Sequence, residues 1–260
     1  MGITDEGERL NTVNSILRVL EILECFTAIK TTWSLTDLAD ELKLPITTVH
    51  RQLKTLVSAG YIAQDSSHKT YTVGSKLILM SCQMLSKYDF RNIARPYLEC
   101  LMQSAQETIH LCQLDGNEMF YVDKIESTTQ SVNCNSRIGK KIPAHSAAAG
   151  KVLLSMKGQA FIEKYCESLS DYPVFTENTI TSPSVLKDEL SKIKAQGYAI
   201  DNEEAELGLV CVAMPVYDAN QCIAAVSISG PGFRMHDQIK NLIPLLKKQT
   251  EEISYMLGHQ

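Results

Sequence analysis

The sequence predicts an α+β protein in two parts, a small helical domain that ends in a β-hairpin and a larger domain built on an antiparallel sheet. Residues 13–58 place apolar side chains at helical spacing in three short segments, and residues 61–73 have the pattern of a hairpin. Two apolar runs, Leu209–Tyr217 and Ile223–Ser229, are separated by the turn signal of residues 218–220. Apolar runs bounded by polar turns are typical of buried strands, so these two predict a central antiparallel hairpin.

Length and composition indicate one large or two medium globular domains. The chain has 260 residues, 44% of them hydrophobic, which is ordinary for a protein with a packed core. It contains no run of about 18 apolar residues, so we expect no membrane helix and no membrane partner. The first ten residues are acidic and polar, unlike a signal peptide, and the chain is therefore expected in the cytoplasm.

The cysteines and histidines give no metal or disulfide pattern. The eight cysteines are spread along the chain in apolar contexts and form no Cys-x-x-Cys pair. This favours reduced thiols that pack as small hydrophobic groups, and argues against a disulfide framework or a structural zinc site. His110 and His145 are too far apart in sequence to indicate a metal pair. The sequence therefore predicts no metal site and no cofactor.

The net charge is −5, and neither half of the chain is strongly basic. Residues 1–86 carry 8 Lys or Arg against 9 Asp or Glu, and residues 87–260 carry 17 against 21. Binding to nucleic acid must therefore depend on the local geometry of a motif rather than on bulk charge.

Start and stop signals divide the first 73 residues into elements. Ser34 followed by Asp37 predicts the start of a second helix. Pro45 stands at the first position of a third helix, which Gly60 ends as a C-cap. The predicted elements are helices Val13–Phe26, Leu35–Leu42 and Pro45–Ser58 and strands Tyr61–Ala63 and Thr70–Val73.

Three short helices and a hairpin make up a winged helix-turn-helix, whose recognition helix enters the major groove of DNA. The predicted third helix begins with short polar or basic side chains, which suit that position, and the hairpin turn carries a further lysine. The alternative is a small helical bundle with a solvated face. The candidate DNA-binding residues are Ile46, Thr47, Thr48, His50, Arg51, Lys54 and Lys69.

Two further helices are predicted after the hairpin. Gly74–Tyr88 is apolar at helical spacing and is expected to form a linker helix, and the helix Asp89–Gln106 continues past Pro96. These helices are candidates for contacts between subunits or domains, with plain packing inside one domain as the alternative. The predicted division is a winged helix-turn-helix domain in residues 1–74, a linker helix in 75–88 and the larger domain in 89–260.

The larger domain mixes predicted strands and helices. Asp115-Gly116-Asn117 is a hairpin turn signal between two alternating segments. Residues 201–206 form an acidic, turn-prone loop before the central hairpin. The predicted strands are Glu107–Leu114, Met119–Ile125 and a third through Val132-Asn133-Cys134, and the predicted helices start near Ser146 and span Gly158–Glu167, Ser184–Gln196 and His236–Leu257.

Small and polar residues of this domain can form a binding pocket. Ser146–Gly150 is a helix start made almost entirely of small residues, whose free backbone N–H groups and positive dipole end favour a carboxylate. Asp201 would accept from a ligand hydroxyl. Ser227 and Ser229 lie two apart on one strand and therefore face the same side of the sheet. A ligand with a carboxylate and hydroxyls fits this set, whereas in the alternative the serines satisfy local backbone groups.

Two other constellations point to different chemistry. Cys211 with a histidine and an aspartate would suggest a thiol hydrolase, but a mid-strand thiol among aliphatic residues has a raised pKa and low reactivity. Three glutamates between residues 203 and 206, beside Asp201, would suggest a metal site or paired catalytic carboxylates. A solvated acidic loop, anchored by Glu204, is the preferred interpretation.

Two stretches resemble motifs of the IclR family of bacterial transcription regulators. Residues 44–53, LPITTVHRQL, resemble the family's recognition-helix pattern, except that Ile46 stands where the family usually carries a polar or basic residue. A thymine methyl group is a contact that suits Ile46. The resemblance covers residues 14–257. The family signature is matched at Gly197, Asp201, Glu204, Cys211, Val212-Ala213 and Val216-Tyr217-Asp218.

The resemblance implies the family's fold and mode of action. It implies a GAF-like antiparallel-sheet effector domain after the winged helix-turn-helix and linker helix, and binding to a double-stranded DNA operator as a homodimer or homotetramer. The sugar-acid-responsive branch looks closest, from RIGKKIPAHSAAAGKVLL and ETIHL. The positions that match effector contacts of the family are Ala148, Ala149, Asp201, Cys211, Ser227 and Ser229.

We therefore expect a ligand-responsive, sequence-specific repressor of a catabolic operon. Its effector is expected to be a small anionic metabolite such as a sugar acid or a keto acid. The alternative is a cytosolic small-molecule enzyme with an accessory helical domain, and DNA binding in a gel-shift experiment distinguishes the two.

Overall fold

The computed structural model describes residues 13–27, 29–65, 67–86, 89–127 and 136–259. The chain divides into two compact units, Met1–Tyr88 and Asp89–Gln260, each with its own buried core. Both units combine helices with antiparallel strands, so the predicted α+β class is confirmed. No helix within the described ranges is long and apolar enough to cross a membrane.

The N-terminal unit combines helices with a small antiparallel sheet. Its described elements are α1 Asn14–Glu24, β1 Thr32–Ser34, α2 Leu35–Glu41, α3 Ile46–Ser58, β2 Ile62–Asp65, β3 Thr70–Val73 and α4 Ser75–Ser86. The strand order is β1-β3-β2, so the predicted hairpin of β2 and β3 is confirmed. The strand β1 was not predicted, because three residues are too few to show an alternating pattern.

The core of this unit follows the helical periodicity of the sequence. Leu38 of α2 and Val49 and Leu53 of α3 are fully buried in one cluster. The Asp37 backbone N–H donates to the Ser34 hydroxyl at 3.1 Å, which confirms the predicted start of α2. The helices α2 and α3 are thereby fixed against each other, with the second face of α3 left toward solvent.

The last residue of α3, Ser58, is as predicted, but its start and its C-cap residue each differ by one position. The helix begins at Ile46, so Pro45 is its N-cap residue rather than its first helical residue. Its C-cap residue is Ala59, and Gly60 follows with a φ of 79°, the left-handed conformation that glycine adopts without strain.

The C-terminal unit is a six-stranded antiparallel sheet with helices on both faces. The described elements are α5 Asp89–Ala105, β4 Thr108–Asp115, β5 Glu118–Ile125, β6 Lys141–Pro143, the 3-10 turn Ala144–Ser146, α6 Ala148–Ser155, α7 Gln159–Glu167, the 3-10 turn Leu169–Asp171, α8 Pro183–Gln196, β7 Ala199–Asn202, β8 Leu209–Tyr217, β9 Cys222–Pro231 and α9 Gly232–Met256. The strand order is β6-β5-β4-β9-β8-β7, so the predicted hairpin of β8 and β9 lies inside the sheet.

The alternation along β8 divides its side chains between two cores. Val210 and Val212 pack with α5 and α9 on one face, whereas Cys211 and Ala213 pack with α6 and α8 on the other. Because helices cover both faces of the sheet, β8 is a nearly continuous apolar run.

Some expectations for this unit differ from the structure. Asp201 lies on the edge strand β7 instead of in a loop, because pairing with β8 extends the backbone despite its acidic neighbours. The helix predicted near Ser146 begins at Ala148, after β6 and a 3-10 turn. The final helix begins at Gly232, four residues before the predicted His236. The strand predicted at residues 132–134 lies outside the described residues.

Candidate functional site

A cavity of about 250 Å³ lies on the α6 side of the sheet in the C-terminal unit. All six residues that match effector contacts line it, although they come from the four elements α6, β7, β8 and β9. They are Ala148, Ala149, Asp201, Cys211, Ser227 and Ser229.

The strand register explains why residues far apart in sequence meet here. Asp201 is the cross-strand neighbour of Cys211, and Cys211 is the neighbour of Ser229, so these three form one row across β7, β8 and β9. Ser227 lies in the next row, where its partner on β4 is His110. In the described part of the chain, no three His, Cys, Asp or Glu residues are grouped so as to hold a metal ion.

The start of α6 presents backbone N–H groups to the cavity. Its N-cap residue is Ala147, so no side chain accepts from these groups. Ala148 and Ala149 are small and buried in the wall, which lets a ligand approach the backbone closely. Gly150 keeps α6 against the preceding turn, because a Cβ there would lie 2.1 Å from the Ala144 carbonyl oxygen. A carboxylate is the group that such a helix start favours.

A buried lysine links α6 to the segment after β7. Lys151 is 1% exposed, and its Nζ donates to Glu204 Oε1 at 2.5 Å and to the Ile200 carbonyl oxygen at 2.7 Å. The Glu204 backbone N–H donates to Asp201 Oδ1 at 2.7 Å. Glu204 is buried because Lys151 compensates its charge, while Glu206 is exposed, which agrees with an acidic segment that Glu204 anchors.

Asp201 is the ionisable group that this cluster holds in the cavity wall, with 2% of its surface exposed. Burial, followed by the charge of Glu204, raises the pKa of its carboxyl from 3.8 to about 7. The Glu204 N–H and Lys151 act in the opposite direction but do not outweigh burial. An ionised carboxylate accepts from a ligand hydroxyl, and a protonated one can also donate to a ligand carboxylate.

The two serines of β9 face the cavity together, as their spacing predicted. Ser229 Oγ lies 3.3 Å from His110 Nδ1, so its partner is a side chain rather than local backbone. Burial, followed by the charge of Lys124, lowers the pKa of the His110 imidazole to about 3. From the sequence alone, His110 is weighed only as a metal ligand, since its neighbour on β9 is separated from it by more than 100 residues.

Sequence reasoning also missed Tyr121, Phe175 and Lys140, which line the same cavity. No local pattern marks them, because each comes from a different segment. Lys140 is half-buried in the wall. Burial, followed by the charge of Arg137, lowers the pKa of its amine. The cavity thus combines an uncapped helix start and a lysine with hydroxyl and carboxyl groups.

The candidate DNA-binding residues lie on the exposed side of the N-terminal unit. Val49 and Leu53 bury one face of α3, and the candidates on its other faces are exposed, apart from the half-buried Thr48. The side chains of Arg51 and Lys54 form no hydrogen bond or ion pair with other described residues. The candidates on α3 are Ile46, Thr47, Thr48, His50, Arg51 and Lys54.

The hairpin of β2 and β3 carries the remaining candidate, Lys69. The Asp65 carboxylate accepts from the Ser67 N–H at 2.8 Å and lies 2.8 Å from His68 Nδ1. Lys69 has a φ of 52° and is fully on the surface. The structure therefore places Lys69 apart from α3, on a second exposed element of the same unit.

Two family models match the chain. The model described as the IclR helix-turn-helix domain matches residues 15–66. The model described as the bacterial transcriptional regulator IclR C-terminal matches residues 82–255, which is more than half of the chain.

Curated relatives match over nearly the whole length. The HTH-type transcriptional regulator XynR of Escherichia coli strain K12 is 35% identical over 249 residues, 95% of this chain and 98% of the relative. The HTH-type transcriptional regulator KdgR of the same strain is 33% identical over 261 residues, 100% of this chain and 98% of the relative.

Solved structures agree with the fold. The crystal structure of the Thermotoga maritima IclR is 34% identical, with a TM-score of 0.74 over 95% of this chain and 99% of that one. An IclR homologue from Microbacterium hydrocarbonoxydans, complexed with 4-hydroxybenzoate, has a TM-score of 0.84 over 94% of this chain and 98% of that one. It is 23% identical and therefore bears on the fold alone.

Proposed function

Since the chain belongs to the IclR family of bacterial transcriptional regulators, we propose that it is a repressor of a catabolic operon, controlled by a small carboxylate bound in the C-terminal unit. The observation that carries this proposal is the single cavity that gathers Asp201, Ser227 and Ser229 at the uncapped start of α6. The enzyme alternative is wrong, because relatives that cover nearly the whole chain are named transcriptional regulators.

The donors and acceptors of the cavity support a sugar acid or a hydroxylated keto acid as effector. The N–H groups of Ala148 and Ala149 bind the carboxylate through charge-assisted hydrogen bonds, and Lys140 adds positive potential. Asp201 and Ser229 bind hydroxyl groups of the same molecule. A cavity of about 250 Å³ is smaller than the pockets that hold drug-sized ligands, which favours a small metabolite.

The N-terminal unit binds a double-stranded operator through α3 and the β2–β3 hairpin. The exposed polar start of α3 enters the major groove, where Arg51 reaches base edges or phosphates. Ile46, which is 44% exposed, contacts a thymine methyl group instead of making a polar contact. Lys69 on the hairpin contacts the phosphate backbone beside the groove.

The repressor acts as a homodimer or homotetramer. One copy of the nearly neutral N-terminal unit neutralises few phosphates, so tight binding needs two copies on related half-sites. The helix α1 exposes an apolar stripe of Ile16 and Leu20, which its N-cap residue Val13 extends, and α4 exposes Ile78 and Leu79. These surfaces are where the copies meet. The effector then acts through its different affinity for the DNA-competent and DNA-incompetent states.

The DNA-binding role predicts a selective defect in Arg51→Ala. Loss of a base contact should weaken operator binding by about 1–3 kcal/mol and relax specificity, whereas loss of a phosphate contact should weaken binding to all sequences alike. Fluorescence anisotropy with operator and random DNA measures both. Arg18→Ala, which removes the same charge from α1, is the control, and unchanged affinity of Arg51→Ala for every DNA would remove α3 from the interface.

The proposed effector site predicts that the Ala149→Glu variant no longer responds to the effector. The new carboxylate fills the space over the N–H groups and repels the ligand charge, and loss of one charge-assisted contact alone should cost about 1.5–3 kcal/mol. Thermal-shift screening of sugar acids and keto acids identifies a ligand, and calorimetry then compares its affinity for the wild type and the variant. Ala149→Gly keeps the space open and is the control. Wild-type effector affinity in folded Ala149→Glu would place the pocket elsewhere.

A further inference from the structure

His110 bridges two serines at the edge of the cavity. Its Nε2 lies 2.8 Å from Ser136 Oγ, and its Nδ1 lies 3.3 Å from Ser229 Oγ. The Tyr121 ring stands 4.9 Å from the imidazole, centroid to centroid, and Lys124 Nζ donates to the Ser136 carbonyl oxygen at 2.9 Å. Both ring nitrogens therefore have hydroxyl partners, and side chains from β5 hold the bridge in place.

The ring of His110 is neutral, because burial and the charge of Lys124 keep its pKa near 3. A neutral imidazole has one N–H donor and one bare nitrogen that accepts. Ser136 and Ser229 therefore cannot both donate to the ring. The tautomer of His110 decides which serine donates and which accepts, so the direction of the Ser229 hydroxyl depends on Ser136, which belongs to another segment.

We propose that His110 is a positioning residue of the effector cavity, which turns the Ser229 hydroxyl so that its oxygen accepts from a hydroxyl group of the effector. The proton of the imidazole lies on Nε2, in the shorter of the two contacts, and donates to Ser136. The bare Nδ1 then accepts the hydroxyl proton of Ser229. The Ser229 oxygen keeps its lone pairs for the ligand.

This inference rests on the proposed effector function of the cavity and adds a selection rule to it. Donors lie at the start of α6, whereas Ser229 and the Asp201 carboxyl offer acceptor oxygens on the sheet. A carboxylate bound at α6 that carries hydroxyls toward the sheet is therefore preferred over a carboxylate of the same length without them. An unhydroxylated ligand would leave these buried acceptors without donors, which costs binding free energy.

The tautomer is tested on the protein without any ligand. Nitrogen-15 NMR of the histidine side chains distinguishes a protonated from a bare ring nitrogen, and His110→Asn identifies the His110 signals among the six histidines. We expect a protonated Nε2, a bare Nδ1 and no titration between about pH 5 and 8. Ser229→Ala should shift the Nδ1 signal, and Ser104→Ala, exposed on α5, should not. A protonated Nδ1, or an imidazolium in this range, overturns the proposal.

The selection rule is tested with two amide variants. Asparagine places its amide near the position of Nδ1 and keeps a partner for Ser229, whereas glutamine places it near Nε2 and keeps a partner for Ser136. The probes are D-gluconate and hexanoate, which have the same chain length and differ in hydroxyls. The preference for gluconate in calorimetry should fall about three- to tenfold in His110→Gln, as expected for one hydrogen bond, and stay within about twofold in His110→Asn.

Two outcomes contradict the positioning role. An unchanged preference in His110→Gln means that Ser229 does not need the imidazole. An equal loss of affinity for both probes in both variants means that His110 only supports the fold. If the wild type binds neither probe, the proposed class of effector fails, and the NMR result alone then decides the role of His110, so the two failures are distinguishable.

Discussion

At Asp201 the protein holds an ionisable group where its charge is unfavourable, and stability should depend on pH for this reason. The folded-state pKa is about 7, against 3.8 for the ordinary carboxyl, with burial as the main cause. Between these values the folded state binds a proton that the unfolded state has lost. The stability contributed by the protonated form is therefore present below about pH 4 and is lost as pH rises through about 7.

Asp201→Asn should remove this pH dependence. The amide keeps an oxygen for the Glu204 N–H but cannot ionise. Relative to the wild type, the variant should gain about 2 kcal/mol of stability as pH rises from 5 to 7. Urea unfolding at the two pH values measures the difference, with the exposed Asp171→Asn as control. If the free energies of unfolding of Asp201→Asn and the wild type differ by the same amount at both pH values, the raised pKa is contradicted.

The chemical state of the site residues was harder to predict than their identity. The family resemblance assigned Asp201 and the serines of β9 to one binding site, and all of them line one cavity. The burial of Glu204 depends on Lys151, 53 residues earlier, and the role of Ser229 depends on His110, 119 residues earlier. Contacts across such distances leave no local pattern, so the sequence suggested a solvated loop and an unrelated histidine.

The helix α6 depends for its position on one close backbone contact, at Gly150. Alanine has the higher helix propensity by about 1 kcal/mol, so Gly150→Ala would stabilise an unrestrained helix. Here the new Cβ would lie 2.1 Å from the Ala144 carbonyl oxygen, and backbone cannot move aside as a flexible side chain can. We expect a net loss of about 1–3 kcal/mol of stability. The start of α6 should also shift, which weakens effector binding.

A matched glycine makes this prediction specific. Gly158, the N-cap residue of α7, has a φ of −68° and open space within 4 Å of the position that a Cβ would take, so Gly158→Ala should lose only the N-cap preference of glycine over alanine, about 0.5–1 kcal/mol, with no clash added. Urea unfolding and calorimetry with the screened effector compare the two variants. A Gly150→Ala protein as stable as the Gly158→Ala protein would show that α6 is not held against the 3-10 turn.

Strands that are long, or that flank a recognisable turn as β2 and β3 do, were predicted well, whereas the short strands β1, β6 and β7 were not. β8 and β9 have long apolar runs because helices cover both faces of the sheet. β1 and β6 are three residues each, and β7 has four, so neither alternation nor apolar runs could mark them. These strands exist because neighbouring strands offer hydrogen-bonding partners, which is information that the local sequence does not contain.

At the scale of the whole molecule, the two units have separate cores, so their functions should be separable by mutation. The N-terminal core is built from α1, α2, α3 and the small sheet, and the cores of the C-terminal unit lie on the two faces of the six-stranded sheet. A change confined to one unit should leave the other folded. Arg51→Ala should therefore bind the effector with wild-type affinity, and Ala149→Glu should bind the operator with wild-type affinity.

Assembly provides the last prediction. The stripe of Ile16 and Leu20 on α1 is exposed by 57% and 48%, although apolar side chains at helical spacing are normally covered.

Ile16→Glu with Leu20→Glu should not unfold the unit, since both positions face outward. It should lower the mass in light scattering and weaken operator binding by at least about tenfold, because half-site binding is no longer linked. Arg18→Glu makes α1 more negative by the same two charges but lies away from the stripe, so it should change neither the mass nor the operator affinity. A doubly substituted protein with wild-type mass and affinity would place the contact between copies elsewhere, and a monomeric wild type that binds its operator tightly would contradict assembly itself.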